Sequence, residues 1–529
     1  MLKLQRRTVL QAGAALALAP ALLRSAQASM PDALRYGEAQ PFSFDHLIDL
    51  ARSMAGKPYV APPRPDPGIV QQIDYDAYGK IRFRPELALY GQGGGAYPIT
   101  FMHVGNFFPK TVRMHAVEGG MAREIIYSPD YFSMPDDHVA HGLGPEPSAF
   151  AGFWVREGRS RSDWATAEPF ATFLGASYYR TVGEHGQVGM SARGITLSPG
   201  GAEPEEFPDF TQYWFEPAQD EASPLTVMAL LDGPSIAGAY KMLISRTGCV
   251  TLEIEKHLFL RRDVARLGIA PLTSMYWFGE SNRPFQADWR PEVHDSDGLA
   301  LWTGGGERLF RPLNNPSKIT FSSFWDENPK GFGLSQRDRD LDHYLDGVRY
   351  EDRPSTWVEP LEPWGKGIVQ LLEIPTDDEI HDNINVYWLP EKPARAGDAL
   401  SFRYRQHWQG QEPGFPDYLA RGVSVRVGRG GQPGKPRPHG VVKFMVEFEG
   451  KVLEELWGWN LKAEPVISPA RGTVSMVQME PSPGSRRWRV TFDLEADGNE
   501  PCDIRMYLRA GDRALSETWL YQHHWVREY

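Results

Sequence analysis

Val442-Lys443-Phe444-Met445-Val446-Glu447-Phe448 (VKFMVEF) carries a large apolar side chain at every second residue. A repeat of two places Val442, Phe444, Val446 and Phe448 on one face of a strand. Neighbouring runs repeat the pattern: Leu400, Phe402 and Tyr404, then Trp488, Val490, Phe492 and Leu494, then Ile504, Met506 and Leu508. Turn-forming residues separate them. So many half-buried strands in one region predict a small immunoglobulin-like β-sandwich over residues 399–529. Upstream, Leu389 to Asp398 (LPEKPARAGD) is rich in Pro, charge and Gly, and it reads as a linker over 389–398.

Without a leader the chain is too long for one typical core, so two domains are expected, the first a β-sandwich over 29–388, large for a single sandwich. Ile81 to Arg84, Ile368 to Ile374 and Ile384 to Leu389 are short strand-like runs broken by turn residues. With 52 Gly, 44 Pro, 16 Trp, 21 Tyr and 26 Phe, the composition favours an all-β sandwich over an α/β fold. One helix stands out. Ser43 can cap it, Phe44, Leu47, Ile48 and Ala51 share a face, and Gly56 can end it.

Residues 1–28 read as an export leader. Lys3, Arg6 and Arg7 precede an apolar stretch, and Ala26-Gln27-Ala28 fits a small-x-small cleavage site. Arg6-Arg7 before Val9 and Leu10, with a mildly hydrophobic stretch carrying Gln11 and Gly13, favours twin-arginine export over an ordinary Sec signal. No later run reaches about 18 uninterrupted apolar residues, so no membrane insertion of the remaining chain is expected. The formal charge is −12, and it becomes more negative without the basic leader. Such a chain is a poor partner for nucleic acid or anionic lipid and a good one for neutral sugars or cations.

Two cysteines, Cys249 and Cys502, are too few for a secreted disulfide framework and read as free thiols. Neither lies in a Cys/His cluster, so no metal and no cofactor are expected. Gly91 to Gly95 and Gly304 to Gly306 lack the continuation of a phosphate loop and read as turns. Gly233 to Ala237 misses the last glycine of a nucleophile elbow. Asp295-Ser296-Asp297-Gly298 matches the start of a calcium loop but lacks its distal glutamate.

Two acidic segments remain. Asp288 to Asn315 gathers Asp288, Glu292, Asp295, Asp297 and Glu307 among Trp289, Trp302, Arg290, Arg308, Arg311, Asn314 and Asn315. Glu373 to Asp382 (EIPTDDEIHD) precedes Asn383 and Asn385 and follows Trp364. Flat rings stack on the C–H faces of sugars, and amides and guanidiniums bond hydroxyls. Carboxyls crowded in a cleft raise one another's pKa, which keeps one protonated as an acid. Solvated surface loops have the same composition.

Long motifs across nearly the whole chain carry a resemblance. They include Ile81 to Pro85, Phe173 to Arg180 (FLGASYYR, with Tyr178), Ser191 to Gly194, Glu206 to Pro208 and Leu231 to Ser235. Asp288 to Leu299 (DWRPEVHDSDGL), Arg311 to Leu313 and the Trp364-to-Asn385 block complete them. The chain resembles the periplasmic glucan biosynthesis protein G/D family (OpgG/OpgD), and the twin-arginine leader points to the D branch. The resemblance implies a galactose-mutarotase-like β-sandwich, the glucan-binding or catalytic domain over 29–388, followed by the immunoglobulin-like domain. It also implies a periplasmic location and work on the β-1,2-glucose backbone of osmoregulated periplasmic glucans. In some D-type members that work is inverting endo-β-1,2-glucanase activity. The positional match makes Asp382 the acid and Asp295 the base, with Asp297 as the next candidate. Inversion calls for carboxyls roughly 6.5–9.5 Å apart. Trp289, Trp302, Trp325, Trp364 and Tyr178 are candidate sugar platforms. Arg290, His294, Asp297, Arg311, Asn314 and Asn383 are candidate hydroxyl ligands. The alternative is a non-catalytic protein that holds nascent glucan beside a membrane glucan synthase, as a monomer or homodimer.

Overall fold

Ser43 accepts a hydrogen bond from the His46 amide at 3.2 Å and starts a helix over Phe44–Ala55, which Gly56 ends. Its buried Leu47 and Ala51 pack on Trp214, Met228, Leu230, Ala239 and Phe259. The helix therefore forms where the sequence predicts and lies by the predicted face on a sheet. The computed structural model describes residues 33–201, 204–282, 288–458, 462–498 and 500–525. The expected leader, 1–28, lies outside the described residues. Among them, no helix is long and apolar enough to cross a membrane.

The fold is all-β, with strands over 45% of the chain and helix over 9%. It divides into two compact units: one ends at Thr273 and also takes Tyr387–Trp408, and the other comprises Ser274–Val386 and Gln409–Tyr529.

The first unit is a two-layer sandwich. One sheet runs antiparallel through Asp209–Glu216, Leu225–Asp232, Ile236–Thr247, Cys249–Leu260 and Ala399–Gln409. The second runs through Ile99–His103, Phe150–Val155, Ala171–Leu174, Tyr178–Thr181, Ser191–Arg193 and Leu267–Ser274. Alternation on Asp209–Glu216 sends Tyr213 and Phe215 against Phe153, at 4.9 and 4.8 Å between ring centroids, and sends Trp214 out to the helix. A lysine sits in this core. Lys256 is fully buried, donates to the Gly194 carbonyl at 3.0 Å, and lies 5.6 and 5.2 Å from the Tyr240 and Tyr404 ring centres. Burial pulls its pKa down to about 7.

In the second unit, Gly298–Trp302 lies between Arg308–Pro312 and Gly331–Ser335, and Ser355–Pro360 extends that sheet. Thr518–His523 runs parallel to Arg308–Pro312 and antiparallel to Cys502–Ala510. A four-stranded sheet of Arg421–Arg429, Val441–Glu449, Trp488–Glu495 and Thr473–Pro481 shares a core with it. Val442, Phe444, Val446 and Phe448 are all in that core, with Val490, Phe492, Leu494, Ile504, Met506 and Leu508.

The cut between units differs from the one read in the sequence. The run at Leu400, Phe402 and Tyr404 was assigned to the C-terminal sandwich, but it pairs with Cys249–Leu260 over ten residues, Val250↔Trp408 to Phe259↔Ala399. Residues 389–398 are not a free linker either, because Ile384–Pro390 is strand and the Val264 amide donates to the Ala394 carbonyl at 3.0 Å. Alternation shows that a segment is a strand but not which sheet supplies its partner. Cys249 and Cys502 are both free, as expected.

Candidate active site

Val293–His294 pairs with Tyr276–Phe278, and the strand repeat turns Glu292 and His294 to one side and Val293 and Asp295 to the other. On the first side, Glu292 accepts from His294 Nε2 at 3.1 Å and from His343 Nδ1 at 2.7 Å. Burial pushes the Glu292 carboxyl up, but the two imidazole hydrogen bonds prevail and hold it at about 2. His343 is raised in turn, because the bond to Glu292 outweighs its burial. Glu280, which accepts from the Val425 amide at 2.8 Å, is pushed well up by burial and by the charge of Glu292. Asp338 is pushed well up by burial, then by Glu280, Glu292 and Asp297.

On the second side, Asp295 is 1% exposed and its carboxylate contacts the Arg353 guanidinium, which lies 4.1 Å from the Tyr350 ring centre. The Asp295 amide donates to the Met275 carbonyl at 2.8 Å. Two residues on, Asp297 Oδ2 accepts from the Arg337 amide at 2.8 Å, while its buried Oδ1 has no partner. Burial raises the Asp297 pKa against the pull of His294 and Arg337. Arg337 itself is locked between Glu412 and Glu517, at 2.9 and 2.5 Å.

The structure brings the second acidic segment to the first. Asn383 accepts from the Tyr276 amide at 2.8 Å and donates to the Tyr276 and Ile374 carbonyls at 2.9 and 3.0 Å. Tyr276 pairs with His294, so Asn383 and the exposed Asp382 before it lie one strand away from the segment that carries Asp295. Arg290 reaches across to Glu379 at 2.8 Å and also holds Asp288 and Asp346, each at 3.0 Å. Tyr350 donates to Glu379 at 2.5 Å. Arg311 and the Asn314 amide hold the buried Glu373, at 3.2 and 2.7 Å. Arg290, Arg311 and the Asn314 amide thus tie the two segments directly.

Those ties change how several predicted residues are read. Arg290, Arg311, Asn314, His294 and Asn383 were expected to meet sugar hydroxyls. All are buried and hydrogen-bond to carboxylates, main chain or, for His294, the Gln336 side chain. Trp364 is 8% exposed and packs on Phe332, so it is core and not a platform. Trp302 is half-buried under Arg308, 3.7 Å from its ring centre. Trp289 and Trp325 are exposed, at 69% and 67%. Tyr178 belongs to the other unit, where the Arg193 guanidinium lies 4.8 Å from its ring centre.

Sequence reasoning missed Glu280, Asp338, His343, Arg337 and Arg353. Gln336 to Tyr344 (QRDRDLDHY) alternates charges, as a solvated loop would, and that hid the buried members. Tyr276, Glu280, His294, Asp297, Asp338 and Trp519 are among the residues lining a cavity of about 20 Å³, enough for a water but not for a sugar. Asp382 and Trp289 are exposed and do not line that cavity.

Known proteins share this chain. A family profile described as "Periplasmic glucan biosynthesis protein, MdoG" matches residues 42–523. "Glucans biosynthesis protein D 2" of Ralstonia nicotianae is 52% identical over 98% of this chain and 97% of its own. "Glucans biosynthesis protein D" of Xanthomonas oryzae pv. oryzae is 43% identical over 98% of both chains. The protein of that name from Stenotrophomonas maltophilia is 44% identical over 92% of this chain and 91% of its own. The chain belongs to the periplasmic glucan biosynthesis protein MdoG family.

Proposed function

We propose that this protein works in the periplasm on the β-1,2-linked glucose backbone of periplasmic glucans and cuts it internally with inversion. Asp382 protonates the departing glycosidic oxygen, directly or through a substrate hydroxyl. Asp295 takes a proton from the water that attacks the opposite face of the anomeric carbon. The observation that carries this reading is the Asn383–Tyr276 clamp, which joins an exposed carboxyl to the strand neighbour of the Asp295 segment. Asp295 is in contact with the Arg353 guanidinium. The exposed Trp289 offers a stacking face beside the same segment. The names of the relatives and the arginine-pair leader support the periplasmic glucan role.

One observation favours a second reading. Asp295 is closed off by Arg353, so water reaches it only after that side chain moves. A protein that only holds nascent glucan beside a membrane synthase has no need of such a movement. Within the hydrolytic reading, the unpartnered Oδ1 makes Asp297 the alternative base. The test is to incubate the mature chain with linear β-1,2-glucan, follow chain length, and read the anomeric proton of fresh reducing ends by NMR. New α-anomeric ends that later equilibrate support the proposal. Binding without shortening supports the holder, and β-anomeric ends refute inversion.

A further inference from the structure

Glu292 and, from one later segment, Asp338 and His343 each bring a ligand atom within 4.8 Å of the others. We propose that His343 Nε2 and Asp338 Oδ1 are the protein ligands of a divalent first-row cation of the zinc type, with waters completing its coordination.

The bond pattern of His343 points there. Its Nδ1 lies 2.7 Å from Glu292 Oε1, so in the neutral ring this nitrogen carries the proton and Nε2 presents a lone pair. A carboxylate that holds the far nitrogen of an imidazole is the usual support of a metal-binding histidine. Nε2 in turn faces Asp338 Oδ1 at 3.6 Å. That gap is too long for a hydrogen bond. It is close to the ~3.3 Å that separates two ligands of a tetrahedral ion with bonds of about 2.0–2.1 Å.

Asp338 supplies an independent observation. It is 5% exposed, and its carboxyl accepts no hydrogen bond from any described residue. A buried carboxyl without a donor is costly, and a cation removes the cost. Asp338 also lines the water-sized cavity, together with Glu280 and Asp297, whose Oδ1 is likewise unpartnered. One imidazole nitrogen with carboxylate oxygen suits zinc or manganese better than magnesium. With only two protein ligands, binding should be micromolar. The ion would tie Asp338 to His343 within one loop, and His343 is already held to Glu292.

The test uses the untagged mature chain dialysed against a chelator. ZnCl2, MnCl2 and MgCl2 are titrated by calorimetry, and the melting temperature is followed in parallel. The proposal expects one equivalent of Zn2+, a rise in melting temperature, and magnesium binding at least tenfold weaker. Asp338→Asn and His343→Gln should each weaken zinc at least tenfold, while the surface variant His141→Ala binds as wild type does. Failure of all three cations to bind at millimolar concentration overturns the proposal, as does undiminished zinc binding in both variants. If the variants do not fold, wild-type crystals soaked in zinc decide. An anomalous peak at His343 Nε2 upholds the site, and a map empty there overturns it.

Discussion

Lys256→Met should stabilise the first unit, and by more at pH 7 than at pH 10. Among the described residues the wild-type amine meets the Gly194 carbonyl and two tyrosine rings and no carboxylate. Its pKa falls from 10.5 to about 7 on folding. Above pH 10.5 the amine is neutral folded and unfolded, and its burial carries no charge penalty. As pH drops below that value the unfolded chain takes up the proton first, so stability falls steadily with pH. Below pH 7 both states are charged and the loss is complete. The full span corresponds to about 5 kcal/mol at about 1.4 kcal/mol per pH unit. Methionine has nearly the same reach and no charge. The Gly194 carbonyl keeps a donor, because the Tyr240 hydroxyl also bonds it at 2.9 Å. The lost amine bond therefore offsets only about 1 kcal/mol. Urea unfolding at pH 7, 8, 9 and 10, read on the transition of the first unit, gives the difference between variant and wild type. The reasoning predicts a gap of several kcal/mol at pH 7 that narrows toward pH 10. A gap independent of pH would refute it.

Other variants separate positioning from contact. Arg353→Ala leaves Asp295 buried without its guanidinium, and should cost about 3–5 kcal/mol of stability, read by urea unfolding, with loss of any glucan cleavage. Trp289→Ala and Trp325→Ala remove exposed rings, and should barely move the melting temperature while weakening β-1,2-glucan binding by about 0.5–1.5 kcal/mol each in calorimetry. Trp364→Ala should do the reverse, costing about 3–5 kcal/mol of stability as a core deletion. Asn383→Ala removes the clamp on Tyr276, and should lower the cleavage rate far more than it raises KM, because Asp382 itself remains.

The elements of this fold were legible where local physics decides them. The alternation at Val442 to Phe448 and the caps at Ser43 and Gly56 act over a few residues, and both are found where the pattern predicts. Pairing was not legible. Leu400, Phe402 and Tyr404 look the same whether their partner is Cys249–Leu260 or a strand of the C-terminal sandwich. The site shows the same division. The two acidic segments could be picked out by composition, and they do meet through Asn383 and Arg290. Which polar groups are spent inside the protein could not be read. An arginine that bonds three carboxylates, like Arg290, has the same sequence signature as one that bonds a sugar. Asp338 and His343 were hidden for the opposite reason, since a run of alternating charge reads as solvent-facing until Glu292 and His294 are seen beside it.

The most direct test of the account is a crystal structure of Asp382→Asn with a linear β-1,2-gluco-oligosaccharide. The account predicts a glycosidic oxygen within hydrogen-bond reach of residue 382, about 2.6–3.2 Å or one hydroxyl away, with a water on the far face of the sugar directed at Asp295. An oligosaccharide bound far from both segments, or one whose linkage faces residue 382 while Asp295 stays sealed behind Arg353, would contradict it.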